Sequence, residues 1–385
     1  MSKLQELILE LCPNGVEYKK IHDVAEVGTG SCNGNEAEEG GAYPFFVRSQ
    51  NVKAKNDFQY DEEAIIIPGE GGIGDIFHYV NGKYALHQRV YRIHFIDKTI
   101  NVKFIYYYMK SNFKSFILKK AVSATVTSIR KPMIEKFEIP IPPPEVQEEI
   151  VKILDHFTDL VAELQAELQA RQKQYEYYRN KLLTFAKIGG AQSLTWMKMS
   201  EIGDICMCKR IMKEQTNSTS GIPFYKIGTF GKVADAYISR ELYEDYKKRF
   251  SFPVKGEILI SASGTIGRSV IYDGKDAYFQ DSNIVWIHND ETKVLNKYLY
   301  YYYQIVEWNV EGGTIKRLYN NNLAKTKIAV PSLSEQERIV AILDKFEVLV
   351  NDLSQGLPAE VAAVQEQYEY YRNKLLSFSR ADMSA

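Results

Sequence analysis

The apolar positions of this chain fall into two kinds of pattern that alternate along its length. From Ile150 onward, apolar or aromatic residues recur at alternating steps of four and three: Ile150, Leu154, Phe157, Val161, Leu164, Leu168, then Arg171, then Tyr175, Tyr178, Leu182 and Phe185. This is the seam of a coiled coil with one polar interruption. It predicts a helix of about 60 Å at 1.5 Å per residue. The seam returns at Ile339, Leu343, Phe346, Val350 and Leu353, stops at Gly356-Leu-Pro358, and resumes at Val361, Val364, Tyr368, Tyr371, Leu375 and Phe378. Proline lacks the amide and collides with the preceding turn, so that helix is expected to break there. In front of each seam the pattern changes. Across 256–287, short β-branched runs are separated by Ser-Gly and Asp-Gly turns, as in a hairpin-rich sheet. The stretch from Asp75 also alternates like a strand and is expected to end in a turn at Asn81-Gly82. A Tyr-rich helix follows each sheet, beginning at Asn101 and at Asn296, with tyrosines expected to be half-buried structural residues.

The two seams belong to an internal duplication. QYEYYRNKLLTF at 174–185 recurs as QYEYYRNKLLSF at 367–378, and IPIPPPEVQEEIVKILDHFTDLV at 139–161 matches IAVPSLSEQERIVAILDKFEVLV at 328–350. The likeness thins towards the preceding segments without vanishing. The run beginning Tyr18-Lys-Lys-Ile resembles that beginning Trp196-Met-Lys-Met, Pro44-Phe-Phe resembles Pro223-Phe-Tyr, and 65–93 runs parallel to 259–287. The repeating unit is a variable domain followed by a helix. Two such seams in one chain are expected to pair with each other, most simply as an antiparallel intramolecular coiled coil, although each could pack only on its own domain.

Composition narrows the class. At 385 residues, 45% hydrophobic and 25% charged, the chain suits two folded domains with connecting elements. No segment approaches the roughly 20 apolar residues of a membrane span, and the opening residues do not read as a secretory signal, so a cytoplasmic location is expected. Cys12, Cys32, Cys206 and Cys208 lack the spacing of a disulfide framework or zinc site and are expected to be free thiols. A net charge of −1 argues against coating nucleic acid by bulk electrostatics. The distribution is more informative. Eight basic residues between Lys103 and Lys136 face one acid, Glu135, whereas Glu145, Glu148, Glu149, Asp155, Asp159, Glu163 and Glu167 follow against Lys152 alone. Such polarity can put phosphate-facing charge on one module and keep the next off DNA, although two ordinary solvated faces would look the same.

Catalytic signatures are missing or misleading. Gly69-Glu-Gly71-Gly-Ile-Gly74 fits the G-x-G-x-x-G spacing of a dinucleotide site, but that fingerprint must open a helix, and a strand pattern follows instead. The duplicated turn keeps only Gly264 and Gly267. A tight turn in a sheet, with glycines at angles other residues avoid, is the expected structure. The chain holds no phosphate-binding loop, nucleophile elbow, His-Glu-x-x-His or amino-methyltransferase signature, and its six histidines are scattered. It is expected to be non-catalytic and to hold no metal or cofactor.

The order of variable domain, Tyr-rich helix, Pro-initiated QxEIVxILDxF helix and QYEYYRNKLLxF ending, written twice, resembles the specificity (S) subunits of type I restriction-modification systems across essentially the whole chain. The resemblance includes Val161-Ala-Glu-Leu-Gln-Ala-Glu-Leu168, similar to the short AEL repeats of some members. It implies an α+β fold. Two mixed α/β target recognition domains, at 1–139 and 188–329, would be separated by helical spacers at 140–187 and 330–380 that pair as an antiparallel coiled coil with a pseudo-twofold repeat, leaving a tail at 381–385. It also implies a mechanism. Each domain would read half of an asymmetric, split duplex DNA site. Two methyltransferase (M) subunits holding S-adenosylmethionine would dock on the helices, each taking a target adenine out of the duplex. Restriction-translocase (R) subunits would join them. Readout requires hydrogen-bonding side chains on loops. The candidates in the first domain are Arg48, Gln50, Asn51, His87, Gln88, Arg89 and Arg130, and in the second Lys226, Ser263, Thr265, Arg268, Gln280, Asn283, Lys316 and Arg317. Each could meet a phosphate as readily as a base. A duplicated coiled-coil adaptor for protein partners, without DNA specificity, is the alternative.

Overall fold

A computed structural model describes residues 3–120, 128–185, 194–313, 316–352 and 354–381, so the seam position Leu353 and the end of the tail lie outside the described residues. The chain divides into two compact units that cut across its linear order: Met1–Gln165 with Glu360–Ala385, and Ala166–Ala359.

Unit 1 is built on a six-stranded sheet in the order Ala25–Thr29, Val90–Phe95, Tyr60–Pro68, His78–Leu86, Tyr43–Phe46, Lys53–Lys55. All neighbours are antiparallel except Tyr43–Phe46 against His78–Leu86, where Phe46 aligns with Leu86. The turn expected at Asn81-Gly82 does not form. The strand His78–Leu86 runs straight through it, with Gly82 opposite Glu62. Val80, Tyr84 and Leu86 are buried here, and their burial holds the ladder in register past the glycine. The Tyr-rich helix Val102–Lys120 covers the sheet with Phe104, Ile105 and Phe113 buried.

Unit 2 carries two four-stranded sheets in place of the single six-stranded sheet of unit 1, one ordered Asp204–Cys206, Ile284–His288, Ile258–Ser261, Ser269–Ile271 and the other Thr216–Asn217, Tyr237–Ile238, Ile222–Tyr225, Tyr278–Phe279. The parallel pairing of unit 1 recurs, with Tyr225 aligned on Phe279 as Phe46 is on Leu86. The small antiparallel ribbon Glu17–Lys20 with Glu138–Ile141 likewise recurs as Thr195–Lys198 with Lys327–Val330.

The duplicated helices are joined to these sheets by duplicated contacts. The helix Pro144–Leu183 is continuous for 40 residues, whereas its copy is divided into Leu333–Asn351 and Leu357–Leu375, as the Gly356-Leu-Pro358 sequence predicts. Gln147 and Gln336, the glutamines of the shared Gln-Glu pair, are fully buried. Gln147 accepts from the Asn101 amide at 2.8 Å and donates to the carbonyls of Thr99 and Pro142. Gln336 makes the same three bonds, accepting from Leu295 and donating to Lys293 and Pro331. Two turns later Asp155 accepts from Lys103 at 2.7 Å and Tyr107 at 2.6 Å, and Asp344 from Lys297 at 2.6 Å and Tyr301 at 2.5 Å. The tyrosines of the Tyr-rich helices are thus structural, and burial raises the phenol of Tyr107 well above its ordinary range.

Helix pairing within each unit is reciprocal. In unit 1, Phe157 of the first copy stacks on Tyr371 of the second, with centroids 5.5 Å apart at 24°. In unit 2, Phe346 of the second copy stacks on Tyr178 of the first, 5.7 Å apart at the same angle. These are equivalent positions with the copies exchanged. Most of the remaining seam is buried or half-buried: Ile150, Leu154, Leu164, Tyr175, Ile339, Leu343 and Val350 fully, and Val161, Leu168, Leu182, Tyr368 and Leu375 in part. At the helix ends the deepest residues are Leu183 and Leu376, one position beyond the seam, because there the helices turn their burial from each other towards the sheet-domain cores.

Candidate nucleic-acid interface

In each unit four connections meet at one rim, and the backbone joins them in the same way twice. In unit 1 the turn after Tyr60–Pro68 is pinned on both sides: the Gly69 amide donates to the Arg89 carbonyl at 2.9 Å and the Ile129 amide to the Gly69 carbonyl at 2.7 Å. In unit 2 the Ala262 amide donates to the Asn283 carbonyl at 2.7 Å and the Leu318 amide to the Ala262 carbonyl at 2.9 Å. The fourth connection follows the parallel strand and is held by His87 N to Phe46 O in one unit and Gln280 N to Tyr225 O in the other. The turn itself needs glycine. Gly74 and Gly267 occupy φ of +69° and +83°, and a Cβ on Gly267 would lie 2.3 Å from the Trp308 indole nitrogen. No helix opens at the G-x-G-x-x-G run, so the structure lacks the helix N-terminus on which a dinucleotide phosphate would rest.

The side chains on this shared frame differ. In unit 1 Arg48, Gln50, Asn51, Gln88, Arg89 and Arg130 are all exposed on the rim. Glu70, at the tip of the turn, accepts from Arg48 at 2.9 Å and from Arg89 at 3.0 Å, and brings the two guanidinium groups together. Those hydrogen bonds, Arg89's first, hold the Glu70 carboxyl below the usual carboxylate range. His87 is buried rather than presented to solvent. Its Nδ1 accepts from the Arg89 amide at 3.0 Å, and burial, reinforced by Arg48 and Arg89, lowers its basicity. It supports the loop from beneath. Gln88 is anchored to Asn33 Oδ1 at 3.0 Å.

In unit 2 Thr265, Lys316 and Arg317 are exposed, whereas Ser263 is buried and bridges to Arg317 through the backbone. Gln280 commits its carbonyl oxygen to the Ile227 amide at 2.9 Å, and Arg268 one guanidinium nitrogen to the Phe230 carbonyl at 3.0 Å. Lys226 pairs with Asp235 at 2.8 Å. Asn283 joins the frame through its carbonyl. The candidates therefore separate into exposed groups and groups that position the loops. Sequence reasoning did not single out Glu70, because the glycine spacing around it drew attention to the backbone.

Among the described residues no group of His, Cys, Asp and Glu is arranged to hold a metal, and no helix is long and apolar enough to cross a membrane. The four cysteines are unpaired thiols, of which Cys12, Cys32 and Cys208 are buried.

The surface is that of a duplicated recognition protein, in which a constant frame carries two different sets of polar side chains. Residues 13–171 and 194–363 each match the family model of the type I restriction-modification DNA specificity domain, and the chain belongs to that family. A putative type I restriction enzyme specificity subunit of Haemophilus influenzae is 45% identical over 380 residues, covering 94% of this chain and 96% of its own. The specificity subunit of the Escherichia coli enzymes EcoR124I and EcoR124II is 34% identical over 272 residues, 64% of each chain. The crystal structure of a Mycoplasma genitalium S subunit shares the fold at a TM-score of 0.60 and 15% identity, covering 94% of this chain and 96% of that one. A chain from a study of complex assembly and conformational transition in the type I system does so at 0.61, covering 96% and 99%. The α+β architecture with its internal repeat is that of a specificity subunit, a DNA-recognition component rather than a catalytic one.

Proposed function

We propose that this subunit reads a bipartite, asymmetric duplex site, with the rim of unit 1 against one half and that of unit 2 against the other. The observation that carries this reading is the single backbone frame presented twice with different exposed side chains. One frame gives both halves the same approach to the duplex, and different side chains make the half-sites differ. The reciprocal helix pairs set the unread stretch between the halves and provide two equivalent docking places for methyltransferase subunits, which hold S-adenosylmethionine and transfer the methyl group to adenine. Restriction-translocase subunits join that assembly. Working on cellular DNA with these partners places the subunit in the cytoplasm.

The test is to insert Ala-Glu-Leu-Gln after Leu168 and sequence the methylome of cells carrying the altered subunit with its methyltransferase. The unread gap should lengthen while both half-sites stay the same. Altered half-sites with an unchanged gap would overturn the assignment of reading to the rims and spacing to the helices. A protein-binding adaptor would leave no sequence-specific methylation dependent on this chain.

A further inference from the structure

We infer that the Arg48–Glu70–Arg89 group is the specificity-determining element of unit 1, that it reads a G·C base pair in the major groove, and that Glu70 is its positioning residue. This rests on the reading of the rims as DNA-facing. Three observations converge. The first is chemical: a guanidinium presented edge-on matches the O6 and N7 acceptors of guanine with two parallel donors, a pattern no other base offers in the major groove. The second is geometric. An exposed arginine normally samples many rotamers, but here one carboxylate ties two arginines that stand 41 positions apart in sequence, with 47% and 57% of their side chains still accessible. Each uses one terminal nitrogen, Nη1, for Glu70, which leaves the Nη2 edges as the ones to turn towards a base. The third is the rigidity of the base beneath. Gly69 is hydrogen-bonded on both sides, Arg89's own amide is held by buried His87, and a Cβ on Gly71 would lie 3.1 Å from the Arg48 carbonyl, so turn and loop are in close contact. An isolated surface ion pair contributes little to stability. A carboxylate beside a phosphate-binding face also opposes DNA binding. Orientation is the role that makes an acid useful there. The equivalent turn of unit 2 carries no acid, reading Ser263-Gly264-Thr265.

The experiment uses the full subunit in complex with its methyltransferase, at fixed salt, selecting from duplexes randomised over both half-sites. Glu70→Gln should lower the preference for guanine at one position of the first half-site by about tenfold, on the scale of a lost bidentate contact, while total binding to unselected duplexes rises because a negative charge has gone. The joint Arg48→Lys and Arg89→Lys variant keeps the charge and loses the fork, so it should relax the same position with little loss of non-specific affinity. The second half-site is the internal control for folding and docking. Uniformly altered affinity with an unchanged first half-site would assign the arginines to phosphate and overturn the inference, as would a wild-type first half-site read only as A·T pairs. A wild-type complex with no preference in either half would instead remove the DNA-reading function itself.

Discussion

At the turn that follows the central strand, unit 1 carries an acid between two arginines, whereas unit 2 carries Gly264 and Thr265 and ties Arg268 to a backbone carbonyl. The backbone beneath is the same in both, down to the order of its amide-to-carbonyl bonds. The opposite holds where the sheets meet the helices, where buried side chains are repeated as faithfully as the backbone: Gln147 with Gln336 and Tyr107 with Tyr301, the tyrosines bonded to half-buried Asp155 and Asp344. A position is retained in both copies when its polar group is buried and needs a particular partner, because an unmatched buried group costs its full desolvation. A position exposed on a pinned loop carries no such penalty and can diverge. The contrast between rim and helical frame is therefore a contrast in burial.

The strongest way to break that contrast is to remove a frame side chain. Gln147→Ala or Gln336→Ala leaves one amide and two carbonyls without their partner and should cost about 3 kcal/mol in the affected unit. The two units can be followed separately, because all three tryptophans, Trp196, Trp286 and Trp308, lie in unit 2. Gln336→Ala should lower the midpoint of the tryptophan-detected unfolding transition. Gln147→Ala should lower only the transition seen by far-ultraviolet circular dichroism. Equal shifts of the tryptophan transition by both would show that the frame does not act unit by unit.

A smaller effect tests where the frame's symmetry ends. Glu347 stands where unit 1 has Thr158, and its carboxylate lies 2.7 Å from the Tyr301 hydroxyl, an alternative acceptor for the one phenolic proton, whereas Thr158 lies 3.5 Å from Tyr107. Asp344→Ala therefore leaves Tyr301 an acceptor, and should cost about 1 kcal/mol against about 2 kcal/mol for Asp155→Ala. The same unfolding measurements rank the two, and the reverse order would refute the compensation. Tyr371→Ala and Tyr178→Ala each remove one stacked ring and should cost alike, about 1 kcal/mol, in units 1 and 2 respectively.

The same distinction explains what was legible in the chain. The duplication, both seams and the break at Gly356-Leu-Pro358 depend on local periodicity and on the backbone chemistry of single residues, and they read directly. The exchange of partners, Phe157 with Tyr371 and Phe346 with Tyr178, depends on contacts more than 150 residues apart, for which periodicity supplies only the two faces. The turn expected at Asn81-Gly82 was a sound local inference overruled by the buried face of the strand that carries it. Repetition marked Gln147 and Asp155 as special without saying what they touch. Glu70 was hidden for a different reason: it occurs in one copy only, so the repeat could not point to it, and its partners come from separate loops. His87 and Ser263 lie on rim loops, but loop membership does not fix whether a side chain points outward.

The weakest expected asymmetry follows from titration. His78 and His87 lie buried in unit 1, and burial, the leading cause for both, lowers their basicity. In unit 2 the residue in His87's place is Gln280, the strand Ser269–Ile271 holds no histidine, and the unit's one histidine, His288, is exposed beside Glu257. When the folded-state pKa of a histidine lies below its unfolded value, the unfolded chain binds more protons between the two values, and stability is lost as pH falls through that window. As pH drops below about 6.5, the ordinary histidine value, unit 1 should therefore lose stability that unit 2 keeps. The dichroism-detected transition should move to lower temperature between about pH 7 and pH 5, with the tryptophan-detected transition moving less. His87→Gln, which installs the residue unit 2 uses at that place, should flatten part of the slope. An unchanged slope in His87→Gln would mean that the acid sensitivity of unit 1 arises elsewhere, with His78 the next buried imidazole to replace.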